Sequence, residues 1–193
     1  LSHNASVRIH PTAEVSPDAH IGDGTVIWNN AQVRENAVIG RNCSLGKDVY
    51  VDNGAILGSG IKIQNCVNVC VGVTIEDDVL IGPHVSFTND LFPRAFKSDW
   101  RLVPTLVKRG ASIGGGVTVV CGNVIGEYAM VAAGCVVSRD VPPHALVVGN
   151  PMRIAGYVCR CGHKVRSTTG AESVAGPLGR LSCDACGDSF TVQ

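Results

Sequence analysis

Several absences narrow this chain before any pattern is read. Aromatic residues make up only 5% of it against 45% hydrophobic residues overall, so its core must be built from Val, Ile, Leu and Ala. Neither charge is in surplus: Lys and Arg balance Asp and Glu at a formal net charge of zero. A binder of phosphate backbones carries a basic excess, so nucleic acid is not an expected partner. No apolar run reaches the about eighteen residues of a membrane-spanning helix, and no membrane partner is expected. The opening LSHNASVRIH lacks the apolar h-region of a secretory signal. It also lacks an initiator Met, so that end reads as processed or engineered, with His3 in an unstructured end. Walker and Rossmann fingerprints are missing as well, which argues against nucleotide hydrolysis and hydride transfer.

What is present is a repeat. From Ile9 to Phe87 every sixth residue is apolar without a miss: Ile9, Val15, Ile21, Ile27, Val33, Ile39 and onward. Four residues after each lies a second column, small or β-branched, running from Ala13 and Ala19 to Val79 and Val85. The residue after the large aliphatic is often Gly, as at Gly22, Gly40, Gly46, Gly58 and Gly82. A large inward residue, then a small one, every six positions fits very short strands joined by tight turns, stacked as a parallel β-helix of hexapeptide repeats. Three hexapeptides make one triangular coil, and the thin interior explains the shortage of aromatics.

The beat is lost in IGPHVSFTNDLFPRAFKSDWRLVPTLVKRG, Ile81 to Gly110. It resumes at Val107, Ile113, Val119, Ile125, Val131 and Val137. From Phe87 to Val107 is twenty residues, not a multiple of six, so residues 88–106 are expected to form an excursion and not extra coil. A long loop inside a compact solenoid is usually functional. The solenoid domain is expected over residues 1–157 and a second small domain over 158–193.

IGDGTVIWNNAQVRENAVIG and IEDDVLIGPHVSFTND resemble the hexapeptide-repeat acyltransferases. That resemblance implies an all-β, left-handed parallel β-helix with one long loop excursion. FTNDLFPRA, VKRGASIG and VCGNVIGEYAMVAAGCVVSRDVPPHALVVGNPMRIAG are similar to the nucleotide-linked 3-amino-sugar N-acetyltransferases. The resemblance implies transfer of an acetyl group from acetyl-CoA to the amine of a UDP- or dTDP-linked sugar, in a homotrimer with sites between adjacent subunits. It implies Asn89 as the active-site asparagine, holding the amine or the reacting carbonyl. Asp90 and Arg94 are then substrate-binding. Ala133, Gly134 and Arg153, with Lys108 and Arg109, fall in the segments that hold coenzyme A. His84, five residues before Asn89, is either a general base, for which imidazole is suited, or a turn residue. His10, His20 and His144 read as surface residues. Relatives carry a Tyr and an acidic residue in the coil under the loop, where this chain has Cys70 and Val71, so that contact is expected to be missing. Cys70 is read as a small buried hydrophobe or, alternatively, an acyl acceptor.

The nine cysteines are an odd number without a secretory signal, which points to a reducing cytoplasm and not to a disulfide scaffold. Beyond Tyr157 the beat is gone, and Cys159, Cys161, Cys183 and Cys186 form two pairs flanking a Gly/Ser/Thr-rich stretch. Four thiolates on two turns meet the requirement of a structural Zn2+ site in a small zinc ribbon, which could cap the last coil. The first pair is one residue short of standard spacing, leaving His163 as a substitute ligand. Other readings stay open: O-acetylation of a sugar or antibiotic, or a non-enzymatic scaffold whose ribbon binds a partner. A carbonic anhydrase on this fold needs three converging histidines, and only His84 is placed for it.

Overall fold

A computed structural model describes residues 7–167 and 179–192; His3 and part of the stretch between the cysteine pairs, residues 168–178, lie outside them. The repeat folds as a left-handed parallel β-solenoid whose two-residue strands stack into three sheets. Face I runs from Arg8–Ile9 up to Ala145–Val148, face II from Glu14–Val15 to Val136–Val137, and face III from His20–Ile21 to Val124–Ile125. Each strand pairs in register with the strand eighteen residues on, Arg8 with Val26 and Ile63 with Ile81, so one coil is three hexapeptides.

Both columns of the repeat point inward. Ile27, Leu45, Leu57, Ile81, Ile113 and Ile125 are 0–1% exposed, and Ala31, Ala37, Ala55 and Val49 are as deeply buried at the corners. Each such side chain contributes about 1.5–3 kcal/mol on leaving water. Thr25, in the small column, keeps its hydroxyl satisfied by donating to the Gly40 carbonyl and accepting from the Cys43 amide.

A third column escaped the sequence reading. From Ile21 to Ile81 the third residue after each large aliphatic has positive φ: Asn30, Asn36, Asn42, Asp48, Cys66, Asp78 and His84, with Gly24, Gly54, Gly60 and Gly72 at the same step. Left-handed backbone suits Gly and, among side chains, Asn and Asp best. Most of these amides donate to a carbonyl of the coil below, as Cys66 to that of Lys47 and His84 to that of Asn65, so the corners are hydrogen-bonded ladders. The glycine after the large aliphatic has another cause: a Cβ on Gly22 would lie 2.6 Å from the Gly40 carbonyl carbon of the next coil.

The excursion leaves face II after Ser86–Phe87 and re-enters face III at Thr105–Val107. Thr105 and Leu106, expected inside it, are already paired to Val73 and Thr74. The coil that holds it pairs Ile81 with Ile113, fourteen residues later than the step that pairs Ile63 with Ile81. Above it the eighteen-residue step returns, Ser112 pairing with Met130, until the last coil, where Met130 pairs with Leu146 after sixteen. The top of face I is closed by Arg153–Tyr157, antiparallel to Ala145–Val148. This strand, and not the ribbon, covers that edge.

Beyond it, Arg166–Ser167, Gly179–Ser182 and Ser189–Val192 form a three-stranded antiparallel sheet. It leans on the III/I corner through aromatic stacking: His144 lies between Tyr128, at 5.3 Å, and Phe190, at 3.9 Å. The ring of His144 also meets the Val158 carbonyl at 3.0 Å. His144 is therefore a half-buried joint and not a surface residue, and burial lowers its pKa. His10 and His20 are exposed as expected.

Candidate functional site

The excursion is pinned at a narrow neck on the II/III corner. The Val103 amide donates to the Asn89 carbonyl at 3.2 Å, and that of Thr105 to Gly72 at 3.1 Å. From above, the Cys121 amide donates to Thr88 Oγ1 at 3.0 Å. Asn89 is thus held, half-buried, where the chain leaves the coil. Asp90 Oδ1 accepts the Phe92 amide at 2.7 Å, which turns the loop, and Arg94 Nη1 donates to the Pro93 carbonyl at 2.7 Å. Beyond the neck lies a cleft of 290 Å³ whose walls include Asp90, Phe92, Arg94, Lys97, Trp100 and Arg101. Phe92 and Phe96 are 76% and 84% exposed, and Trp100 49%.

Beneath the neck, Cys70 Sγ donates to the Phe87 carbonyl at 3.0 Å. Burial, then the nearby Asp52 carboxylate, push its thiol up. A protonated, hydrogen-bonded thiol is a poor nucleophile, so the geometry fits the packing role. Cys70 and Val71 stand where the resemblance led a Tyr and an acid to be expected, and a Tyr and an acid of this chain lie one coil lower. Asp52 Oδ2 accepts the Val71 amide at 3.1 Å while Oδ1 accepts the Tyr50 hydroxyl at 3.1 Å. Spacing by one full coil, Asp52 to Cys70, is the signal that could have found this pair.

His84 stands elsewhere. It is an exposed turn residue with φ 59° on the I/II corner, so it and Asn89 flank the two ends of one face II strand, Ser86–Phe87. On that same I/II ladder, going up, come Gly116, bonded to the Pro83 carbonyl, and Gly134, bonded to that of Gly115. Ala133 and Gly134 form the exposed turn there. At the top of this corner the Arg153 guanidinium lies against Gly149, with Nη1 3.0 Å from where a Cβ would be. His84, Ala133, Gly134 and Arg153 therefore share one edge of the prism. Lys108 and Arg109 do not: both lie on the III/I corner, where Arg109 is paired to Asp77 at 3.2 Å.

The four C-terminal cysteines do converge. Their sulfurs all lie within 4.8 Å of one another, with Cys159 and Cys186 at 3.5 Å and Cys161 and Cys183 at 3.6 Å. Bonds of about 2.3 Å to a tetrahedral Zn2+ put sulfurs about 3.8 Å apart, so the donor set fits that ion. Two tight turns build it. The Gly162 amide donates to the Cys159 carbonyl and the Gly187 amide to that of Cys183. Although burial raises the Cys183 thiol, hydrogen bonds from the backbone of Cys186 and Ala185 and from neighbouring thiols outweigh it and bring it down to about 7. His163 Nδ1 is 3.5 Å from Cys161 Sγ, but the sulfur cluster is complete without it. Four thiolates would leave no open position on such an ion, so a metal held here would be structural and not catalytic.

No protein-family model matches the chain. It is 61% identical over 62 residues to the dTDP-3-amino-3,6-dideoxy-alpha-D-galactopyranose 3-N-acetyltransferase of Aneurinibacillus thermoaerophilus, a match spanning 32% of this chain and 32% of that relative. Among solved structures, the acetyltransferase domain of PglB from Neisseria gonorrhoeae superposes with a TM-score of 0.52 at 23% identity, over 77% of this chain and 57% of that one. A variant of AntD, an N-acyltransferase from Bacillus cereus solved with dTDP-4-amino-4,6-dideoxyglucose and coenzyme A, superposes with a TM-score of 0.50 at 19% identity, over 80% of this chain and 85% of that one. The structural likenesses establish the β-solenoid fold, and the sequence match establishes homology to nucleotide-sugar N-acetyltransferases.

Proposed function

We propose that this protein is an acetyl-CoA-dependent N-acetyltransferase acting on the amine of a nucleotide-linked 3-amino sugar, dTDP- or UDP-linked. The observation that carries the reading is the 61% identity over 62 residues to a dTDP-3-amino-sugar 3-N-acetyltransferase, a third of either protein's length, on a chain whose excursion starts with Asn89 and Asp90 at a hydrogen-bonded neck. The proposed assembly is a homotrimer. It would cover the exposed Phe92, Phe96 and Leu102 and bring the I/II corner of one copy against the excursion of another.

In this reading the pantetheine arm of coenzyme A lies along the I/II corner, bonded to the turn at Ala133 and Gly134, with Arg153 toward a phosphate. The corner leads down to His84, which places the thioester near that imidazole. Lys108, on another corner of its own chain, serves only if a neighbouring copy presents it. Asn89 holds the amine, and Asp90 and Arg94 bind the sugar or its phosphates. The amine nitrogen attacks the thioester carbonyl carbon, the C–S bond breaks, and the coenzyme leaves as thiolate. The amine proton passes to His84 or to that thiolate. Holding the two reactants in contact supplies much of the rate, and a base at His84 adds about 10²–10⁴-fold. The zinc ribbon, residues 158–193, is a separate structural domain with no part in the chemistry.

The test is mass-spectrometric: acetyl-CoA with a panel of UDP- and dTDP-linked 3- and 4-amino sugars. One 3-amino sugar is expected to gain a single acetyl group on nitrogen. Binding of coenzyme A with no acceptor modified would move the acceptor outside amino sugars, and acetylation on oxygen would make this an O-acetyltransferase.

A further inference from the structure

The cleft inside the excursion has a chemistry of its own. Three cations, Arg94, Lys97 and Arg101, line it together with Trp100 and Phe92. None of the three is in an ion pair among the described residues. Of the two acids in the wall, Asp90 has one carboxylate oxygen committed to the Phe92 amide, leaving Asp99 as the other counter-charge. Trp100 and Phe92, both in the wall of the cleft, are 49% and 76% exposed, and Leu91, Phe96 and Leu102 of the same loop are exposed as well. Flat aromatic faces beside unpaired cations suit a ligand with an aromatic ring at one end and phosphates next to it. At 290 Å³ the cleft is at the small end of ligand sites, which run from about 300 to 1,000 Å³. It has room for part of a nucleotide sugar and not for all of it. Its inner wall is Val103, whose amide is bonded to the Asn89 carbonyl, so whatever protrudes inward from the cleft emerges beside Asn89.

We propose that the excursion is the nucleoside diphosphate subsite, with the pyrimidine stacked on Trp100 and the diphosphate held by Arg94, Lys97 and Arg101. The inference rests on the nucleotide-sugar reading above and assigns Phe92, Lys97, Trp100 and Arg101 a role in it. The concavities along the coils, such as the one lined by Trp28, Ser44 and Lys47, gather no cluster of cations and aromatic faces like that of the excursion. A loop fourteen residues longer than the corner it replaces supplies one, and places the sugar at the neck.

The test separates this assignment from the acetyl-transfer reading. Trp28 is the only other tryptophan in the chain. In a Trp28→Phe background, fluorescence therefore reports Trp100 alone. Titration with thymidine diphosphate and with uridine diphosphate, without acetyl-CoA, is expected to quench it saturably. The double variant Lys97→Ala/Arg101→Ala is expected to lose at least tenfold in affinity with an unchanged melting temperature, since both side chains are exposed. Trp100→Leu, followed by calorimetry, is expected to lose a similar amount. Nucleotide affinity that survives both variants would place the nucleotide elsewhere and overturn the subsite. So would the absence of any quenching because a second copy already covers Trp100. A protein that binds nucleotide here but never transfers acetyl keeps the subsite and loses the transferase reading.

Discussion

Two columns of residues carry opposite demands at each turn. The glycine that follows a large aliphatic is there because the next coil presses on it: a Cβ on Gly82 would meet the Gly115 amide nitrogen at 2.6 Å. Three residues after the aliphatic the demand is conformational, and space is often free. Gly54 has φ 64° and nothing within 4 Å of where a Cβ would stand. The two glycines should therefore answer substitution differently. Gly82→Ala forces adjacent coils apart and is expected to cost about 1–3 kcal/mol, a drop of several degrees in a melting curve. Gly54→Asn is expected to be close to neutral, because Asn36 adopts the same backbone on the same corner one coil below. Equal melting temperatures for the two variants would contradict this account of the turns. The first column was legible in the sequence because its members are alike. The positive-φ column was not, because Gly, Asn, Asp, Cys and His share no chemistry, only tolerance of left-handed backbone.

At the scale of elements, the excursion and the ribbon contrast. The excursion was legible from a broken count alone, since the coils below it each take eighteen residues and any other step marks a departure from the repeat. Its end was misplaced by two residues because Thr105 and Leu106 pair to the coil below before the large aliphatic column resumes at Val107. The ribbon's ligands were legible from two Cys pairs, but its seat was not. His144 sits in the repeat where an exposed turn residue is expected, and only the folded chain shows Phe190 covering it. Among its described residues the ribbon buries only Val158, Cys159, Leu181 and Cys183, so on the zinc reading the metal supplies its stability. One Zn2+ per chain is expected by elemental analysis. A chelator, or Cys183→Ser, is expected to abolish hydrogen-exchange protection in residues 179–192 while leaving the coils over 7–157 protected. Protection of the ribbon unchanged by metal removal would contradict a structural zinc site.

For the whole molecule, the decisive geometry is that His84 and Asn89 lie on different corners of one coil. The edge bearing His84, Ala133, Gly134 and Arg153 and the neck bearing Asn89 are separated by face II, with its outward Ser86 and Thr118. Five residues separate them in sequence, and the prism sets them on different corners because each hexapeptide turns the chain onto the next face. In the proposed homotrimer, closed cyclic symmetry would resolve the separation by repeating one contact between neighbours, the edge proposed for the cofactor on one copy meeting the excursion of the next. The most direct test mixes two inactive variants. His84→Ala and Asn89→Ala are each expected to lose most of their acetyltransferase activity. Dissociated together and reassembled in equal amounts, they are expected to recover about a quarter of the wild-type rate, since one interface in four then pairs two intact halves. No recovery from mixed assemblies, with coenzyme A still bound, would contradict a site shared between copies.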